Sequence, residues 1–283
     1  MNTLLPWLKR CTVCPNECGI DRTAGEKGRC RTGDEITVSA ADLHFGEESC
    51  LVGSGGSGTI FLAACNLGCV FCQNYVISQL DRGRRITPGE LLKLMLGLQI
   101  RGAININIVS PTHQGPQVFE VVRKARMEGL RIPIVYNCGG YENAEFIRGL
   151  DGLVDIYMPD FKYGSDPEAF LYSGIESYTE NCMASISEMH RQVGNLELGS
   201  NGTARNGLLV RHLVLPNGIA GSKNVIDFLA SEISPATVLN IMDQYRPAYR
   251  ALEYPALARR ATRAEIDEVI EYARRRGMSR LLL

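Results

Sequence analysis

The chain has 283 residues, 45% of them hydrophobic and 22% charged, the balance of an ordinary soluble globular protein with length for one large α/β domain or two smaller ones. Its 30 Lys and Arg against 31 Asp and Glu leave a net charge of −1, which offers no electrostatic footprint for nucleic acid or an anionic membrane surface. No apolar run approaches the roughly 18 residues of a spanning helix, and the N-terminus lacks a signal-peptide pattern, so a cytoplasmic chain with its ten cysteines reduced is expected.

Residues 1–50 read as a Cys-rich segment. Cys11, Cys14, Cys18 and Cys30 are spaced C-x2-C-x3-C-x11-C, the last beyond a loop with Gly25 and Gly28. So short a stretch has no core of its own, and thiols grouped this way build a small metal knuckle for zinc or an auxiliary iron–sulfur cluster. Four protein ligands make such a site closed, hence structural or electron-relaying. Residues 35–39 predict a short strand and 40–50 a connector. Gly53, Gly55 and Gly58 spell G-x-G-x-x-G, but they precede a strand instead of following one, which excludes a dinucleotide loop.

Residues 51–283 read as one α/β unit. Apolar strands are predicted at 59–64, 103–109, 132–136, 153–158, 208–215 and 238–242, with helical periodicity between them, including a helix over 222–232. Thr87-Pro88-Gly89-Glu90 and Thr262-Arg263-Ala264-Glu265 are capping boxes that start helices. Residues 194–206 read as a loop or hairpin at the rim. Arg274, Arg275 and Arg276 complement the dipole of the last helix better than they serve a nucleic acid. Six strand–helix repeats predict a parallel sheet curled into an incomplete (β/α)6 TIM-like barrel.

Directly behind the first barrel strand stand Cys65, Cys69 and Cys72, with Phe71 before the last. Thiolates favour iron–sulfur clusters, zinc and Cu(I), and a cubane usually takes four. Three with no fourth nearby leave one metal position open, the mark of a reactive site. The bland alternatives are a structural zinc completed by a distant ligand, or buried thiols at a strand end. In α/β barrels functional side chains gather at the C-terminal ends of strands. There this chain places Ser110, Thr112 and His113, then Asn137 and Cys138, then Asp160 and Lys162, then Arg211 and His212. Asp160 and Lys162, two residues apart, project to one side of an extended chain and form either a grip for a zwitterion or peptide, or an ordinary salt bridge. His113 and His212 are candidates for proton transfer, or satisfied structural histidines. Cys138 is a hydrogen-atom donor or an inert buried thiol; Cys50 and Cys182 carry no assigned role.

The spacing C-x3-C-x-aromatic-C resembles the cluster motif of the radical SAM superfamily. That resemblance implies a [4Fe–4S] cluster on Cys65, Cys69 and Cys72, with S-adenosyl-L-methionine on the open iron. It also implies an oxidoreductase-type enzyme that makes a deoxyadenosyl radical to abstract hydrogen, fed by a low-potential flavodoxin- or ferredoxin-type donor. Gln73-Asn74, residues 155–162 with their D-x-K ending, and residues 210–216 are similar to the activating enzymes of glycyl radical enzymes, typified by pyruvate formate-lyase activating enzyme. This branch implies a protein or peptide substrate. The alternatives are a small-molecule substrate or, from another class, a non-catalytic metal-binding or electron-transfer module. By position, Asp160 and Lys162 would contact S-adenosylmethionine or substrate backbone, and Asn137 the cofactor. The Gly-Gly-Glu motif usual after the second strand is replaced by Val109-Ser110-Pro111-Thr112, so Ser110, Thr112 or backbone carbonyls would take over its role.

Overall fold

A computed structural model describes residues 3–283. The Cys-rich segment has only two short 3-10 turns, Leu5–Leu8 and Arg22–Ala24, before β1 (Ile36–His44). After β1 come α1 (Ser49–Val52), β2 (Ser57–Leu62), α2 (Tyr75–Ser78) and β3 (Arg84–Ile86). Strand and helix then alternate through α3 (Pro88–Ile100), β4 (Ile106–Val109), α4 (Gly115–Met127), β5 (Ile134–Cys138), α5 (Ala144–Arg148) and β6 (Ile156–Pro159). Two helices, α6 (Asp166–Ser173) and α7 (Tyr178–Val193), precede β7 (Glu197–Leu198) and β8 (Ala204–Leu213). The chain closes with α8 (Ser222–Phe228), β9 (Val238–Met242), α9 (Arg263–Arg275) and β10 (Arg280–Leu282).

All these strands form one sheet in the order β10-β9-β8-β6-β5-β4-β2-β1-β3, with β7 hairpinned onto β8. Every neighbour pair from β2 to β10 is parallel, whereas β1 runs antiparallel to both β2 and β3. The expected partial α/β barrel is therefore present. Alternation along each strand sorts its side chains. Ile60, Ile108, Tyr136, Tyr157 and Val210 join the main core beneath the helices, while Val135, Ile156, Met158, Leu209 and Val238 form a second cluster on the opposite face, closed at one end by Leu51 of α1. Both capping boxes form, Thr87 with Glu90 and Thr262 with Glu265, each contributing about 1 kcal/mol to its helix start.

Three elements differ from expectation. β1 runs to His44, five residues past the predicted end, because Ala41 and Leu43 find partners in Ile60 and Gly58 of β2, a pairing that local propensity does not encode. β10 adds a seventh parallel strand through three residues that pair with β9. The helix expected at 222–232 breaks into a π turn at Leu229–Ile233. No helix among the described residues is long and apolar enough to cross a membrane.

Candidate active site

β2 delivers the chain to Ala64, whose φ of +70° is a left-handed conformation costing a non-glycine residue about 1 kcal/mol. The turn holds because the Ala64 N–H donates to the Ile77 carbonyl at 3.0 Å, and it swings the next residues across the sheet end. Cys65, Cys69 and Cys72 then line one cavity of about 250 Å³ together with Asn137, Asp160 and Lys162. Each sulfur has a polar neighbour. The Leu67 N–H donates to Cys65 at 3.4 Å, the Ser173 hydroxyl donates to Cys69 at 3.0 Å, and the Ser78 hydroxyl lies 3.1 Å from Cys72. Burial pushes the Cys65 thiol up to about 12 and raises Cys69 as well, so a cation is needed to make thiolates here.

Charged side chains cover the side of the cavity facing the thiols. Lys162 Nζ is 2.6 Å from Asp160 Oδ2, and the Arg211 guanidinium donates to Asp160 Oδ1 and to Asn137 Oδ1, both at 2.7 Å. Burial works against the Asp160 charge, but Arg211 and Lys162 hold its carboxyl below the usual range. Burial likewise works against Lys162, which the Asp160 carboxylate keeps raised and protonated. The Lys162 backbone N–H donates to Tyr178 Oη at 2.7 Å, and that hydroxyl reaches the Gly139 and Asp160 carbonyls, tying two strand ends together. Only glycine fits at 140, where φ is +79° and a Cβ would lie 2.4 Å from the Asp160 carbonyl oxygen. Arg211 also approaches Glu47 at 3.5 Å and Glu48 at 3.9 Å, and Asn240 donates to Glu48 at 2.9 Å. Burial pushes the Glu47 carboxyl upward.

The expected site residues divide into two groups. Ser110, with φ +55°, lines the cavity and donates its N–H to the Asn137 carbonyl at 2.8 Å; Cys138 lines it too, its thiol pushed well up by burial. Thr112 and His113 turn away into the 3-10 turn Thr112–Gln114. Thr112 donates to Glu142 at 2.7 Å, and burial lifts that carboxyl to about 7. His212 alternates with Arg211 and so faces the opposite side, its Nδ1 at 2.7 Å from the Phe161 carbonyl and its Nε2 at 2.7 Å from the Ser222 hydroxyl. Burial pushes His113 and His212 down to about 4, so both are neutral at pH 7. Neither histidine reaches the cavity of the three thiols. Glu47 and Glu48 are the charged neighbours that sequence reasoning missed, while Arg211 is noted beside His212 without a role. Arg211 had a signal, a lone cation in the apolar run Leu208–Leu213; the two glutamates sit in a connector without one.

Cys11, Cys14, Cys18 and Cys30 line a separate small cavity with Arg22 and His113. Among the described residues no group of three or more His, Cys, Asp or Glu side chains converges as ligands of one metal ion do. A cubane would bind each of the three thiolates of Cys65, Cys69 and Cys72 through a different iron. A further cavity of about 270 Å³ between α8 and α9 carries no thiols, and its Lys223 is taken up by Glu268 at 2.8 Å.

No family model matches the chain. Among solved structures it is similar to HydG, a maturase of the [FeFe]-hydrogenase, with a TM-score of 0.53 and 10% identity over 80% of this chain and 50% of that one. It is also similar to methylornithine synthase (PylB), with a TM-score of 0.52 and 14% identity over 79% of this chain and 63% of that one. The chain thus spans half of the first and under two thirds of the second, and the likeness is one of fold. The uncharacterized protein MJ0808 of Methanocaldococcus jannaschii is 22% identical over 266 residues, 87% of this chain and 73% of that protein. The uncharacterized protein MJ0674 of the same organism is 33% identical over 275 residues, 94% of this chain and 74% of that protein. Identity at that level across nearly the whole length makes this chain a member of the MJ0674 family, built on a partial α/β barrel with three cysteines at the mouth of its first parallel strand.

Proposed function

We propose that this protein is a radical SAM enzyme of the oxidoreductase type that abstracts hydrogen from a protein or peptide. The observation that carries the reading is the shared cavity of Cys65, Cys69 and Cys72 with Asn137, Asp160 and Lys162. When bound, a [4Fe–4S] cluster with S-adenosylmethionine on its open iron would supply a deoxyadenosyl radical after one electron from a low-potential donor. The chain's own residues bind and orient. The three cysteines would hold the cluster, with the Leu67 amide and the hydroxyls of Ser173 and Ser78 stabilising their thiolates by charge-assisted hydrogen bonds. Lys162 and Asp160 present opposite charges 2.6 Å apart, a complement to the methionyl carboxylate and ammonium. Arg211 fixes the Asp160 carboxylate and the Asn137 amide in place, so neither has to reorganise when ligand arrives.

The exposed amide side chains of Gln73, Asn74 and Gln244 at the same cavity support a peptide substrate, since they offer donors and acceptors to an extended backbone. The size of the cavity favours a second reading. About 250 Å³ lies just below the usual range of ligand pockets, and a small molecule would use that space more fully than a chain segment. The test is anaerobic. Iron-loaded protein with dithionite and S-adenosylmethionine should release deoxyadenosine, and Cys72→Ala should abolish it. Protein with an intact cluster that yields none, even with lysate of the source cell added, would sink the proposal. Transfer of deuterium from labelled peptide or from labelled metabolites into deoxyadenosine separates the two substrate classes.

A further inference from the structure

The proposed reaction leaves the N-terminal cavity unused, yet its wall is unusually demanding. Arg22 is fully buried there. Its guanidinium donates to the carbonyls of Gly33 and His113 and to the Thr32 hydroxyl, all neutral, and the nearest approach to an acid is Cys11 Sγ at 4.0 Å from Nη1. A guanidinium stays charged, and a buried charge without a counter-ion is strongly unfavourable. The second group is His113, 1% exposed. Its Nε2 is engaged with the Ala63 carbonyl at 2.7 Å, and its Nδ1 is buried without any partner. Buried polar groups left over in this way call for a missing occupant.

We infer that Cys11, Cys14, Cys18 and Cys30 hold a metal centre as four thiolates, whose negative charge is the counter-ion of Arg22. Zinc and a [4Fe–4S] core share this chemistry, because either one on four thiolates is a dianion. Three of the sulfurs already have polar neighbours: Asn16 Nδ2 donates to Cys14 Sγ and the Arg29 N–H to Cys18 Sγ, both at 3.5 Å, and the Thr32 hydroxyl lies 3.1 Å from Cys30. All four thiols line the one small cavity; zinc would bind them at a single ion, whereas a cluster would take each through a different iron. The centre also reaches the three-cysteine loop. Asn16 Nδ2 donates to the Asn66 carbonyl at 3.0 Å as well as to Cys14, and His113 bonds to Ala63, two residues before Cys65. Metal at the N-terminal site thereby holds the start of that loop.

A full-length variant with Cys65, Cys69 and Cys72 all changed to Ala removes the other site, so any metal that remains belongs to this one. Elemental and sulfide analysis of anaerobically prepared protein should find one zinc per chain, or four irons with four sulfides. Adding Cys14→Ser and Cys30→Ser should abolish it. Zinc identifies a closed ion site, iron with sulfide an auxiliary cluster, and each supports the inference. Arg22→Met should speed metal loss to a chelator by about ten- to a hundredfold, with Arg22→Lys recovering much of it. Wild-type protein provides a check independent of variant folding: its four N-terminal thiols should resist alkylation until a chelator is added, then react together. Protein that holds neither metal, with thiols that alkylate alike with and without chelator, overturns the inference. None of these readouts depends on deoxyadenosine, so the two proposals stand or fall separately.

Discussion

The two cysteine sites lie on one molecule but follow opposite plans. Cys65, Cys69 and Cys72 follow a parallel strand, take hydrogen-bonding neighbours from α2 and α6, and face a cavity whose charges are already paired among Asp160, Lys162 and Arg211. Cys11, Cys14, Cys18 and Cys30 are gathered by their own segment around a far smaller cavity, beside a buried cation that no carboxylate meets. Where charges are balanced and a coordination position is left over, the site can admit a reactant. Where thiols are sufficient and a cation is unmatched, as inferred for the N-terminal site, a metal on thiolates would supply the missing negative charge. The number of thiols and the sign of the unmet charge therefore distinguish a reactive centre from a closed one.

Four experiments probe that contrast, beginning with the largest effect. Cys69→Ala should reduce deoxyadenosine release to background while leaving metal at the N-terminal cysteines untouched, as measured by chromatography beside elemental analysis. Equal loss of both metals would show that the two sites are one folding unit. Next, Asp160→Ala leaves Lys162 a mostly buried, unmatched cation and takes from Arg211 its shortest carboxylate contact, and should cost about 3–5 kcal/mol in urea unfolding. Lys162→Met in the same chain should recover part of it, since removing both partners costs less than removing one.

The third is a pH test. His212 has a folded pKa of about 4 against an ordinary 6.5, so its contribution is complete above pH 6.5 and is lost as pH falls toward 4, on the order of 3 kcal/mol. Glu142, lifted by burial to about 7 from 4.5, acts in the opposite direction: its contribution is present below pH 4.5 and is lost as pH rises to 7. Unfolding midpoints against pH should flatten between 4 and 6.5 in His212→Gln and between 4.5 and 7 in Glu142→Gln; unchanged slopes would contradict these assignments. The smallest effect is expected from Asn16→Ala, about 1 kcal/mol from its lost hydrogen bonds. Its value lies in the readout, because a shifted EPR spectrum of the proposed cluster at Cys65 would show that the two sites are mechanically joined.

Much of this architecture is legible in the amino-acid sequence. Six parallel strands, two capping boxes and the three-cysteine loop are local patterns, carried by periodicity, cap chemistry and spacing within a few residues. The pairing of Asp160 with Lys162 is legible for the same reason, since side chains two apart on an extended segment share a side. Other features come from residues far apart in the chain. Arg211 meets Glu47 and Glu48 across more than 160 positions, His113 leaves the strand-end group for the cavity of Cys11 and Cys30, and β1 continues because β2 receives it. Neighbours along the chain choose which residues form strands, which thiols stand together and where helices begin, so those features can be read from one end to the other. Which charges are matched, and which polar atoms are left without partners, is set by long-range packing alone, because burial and ion pairing depend on what the fold brings from elsewhere.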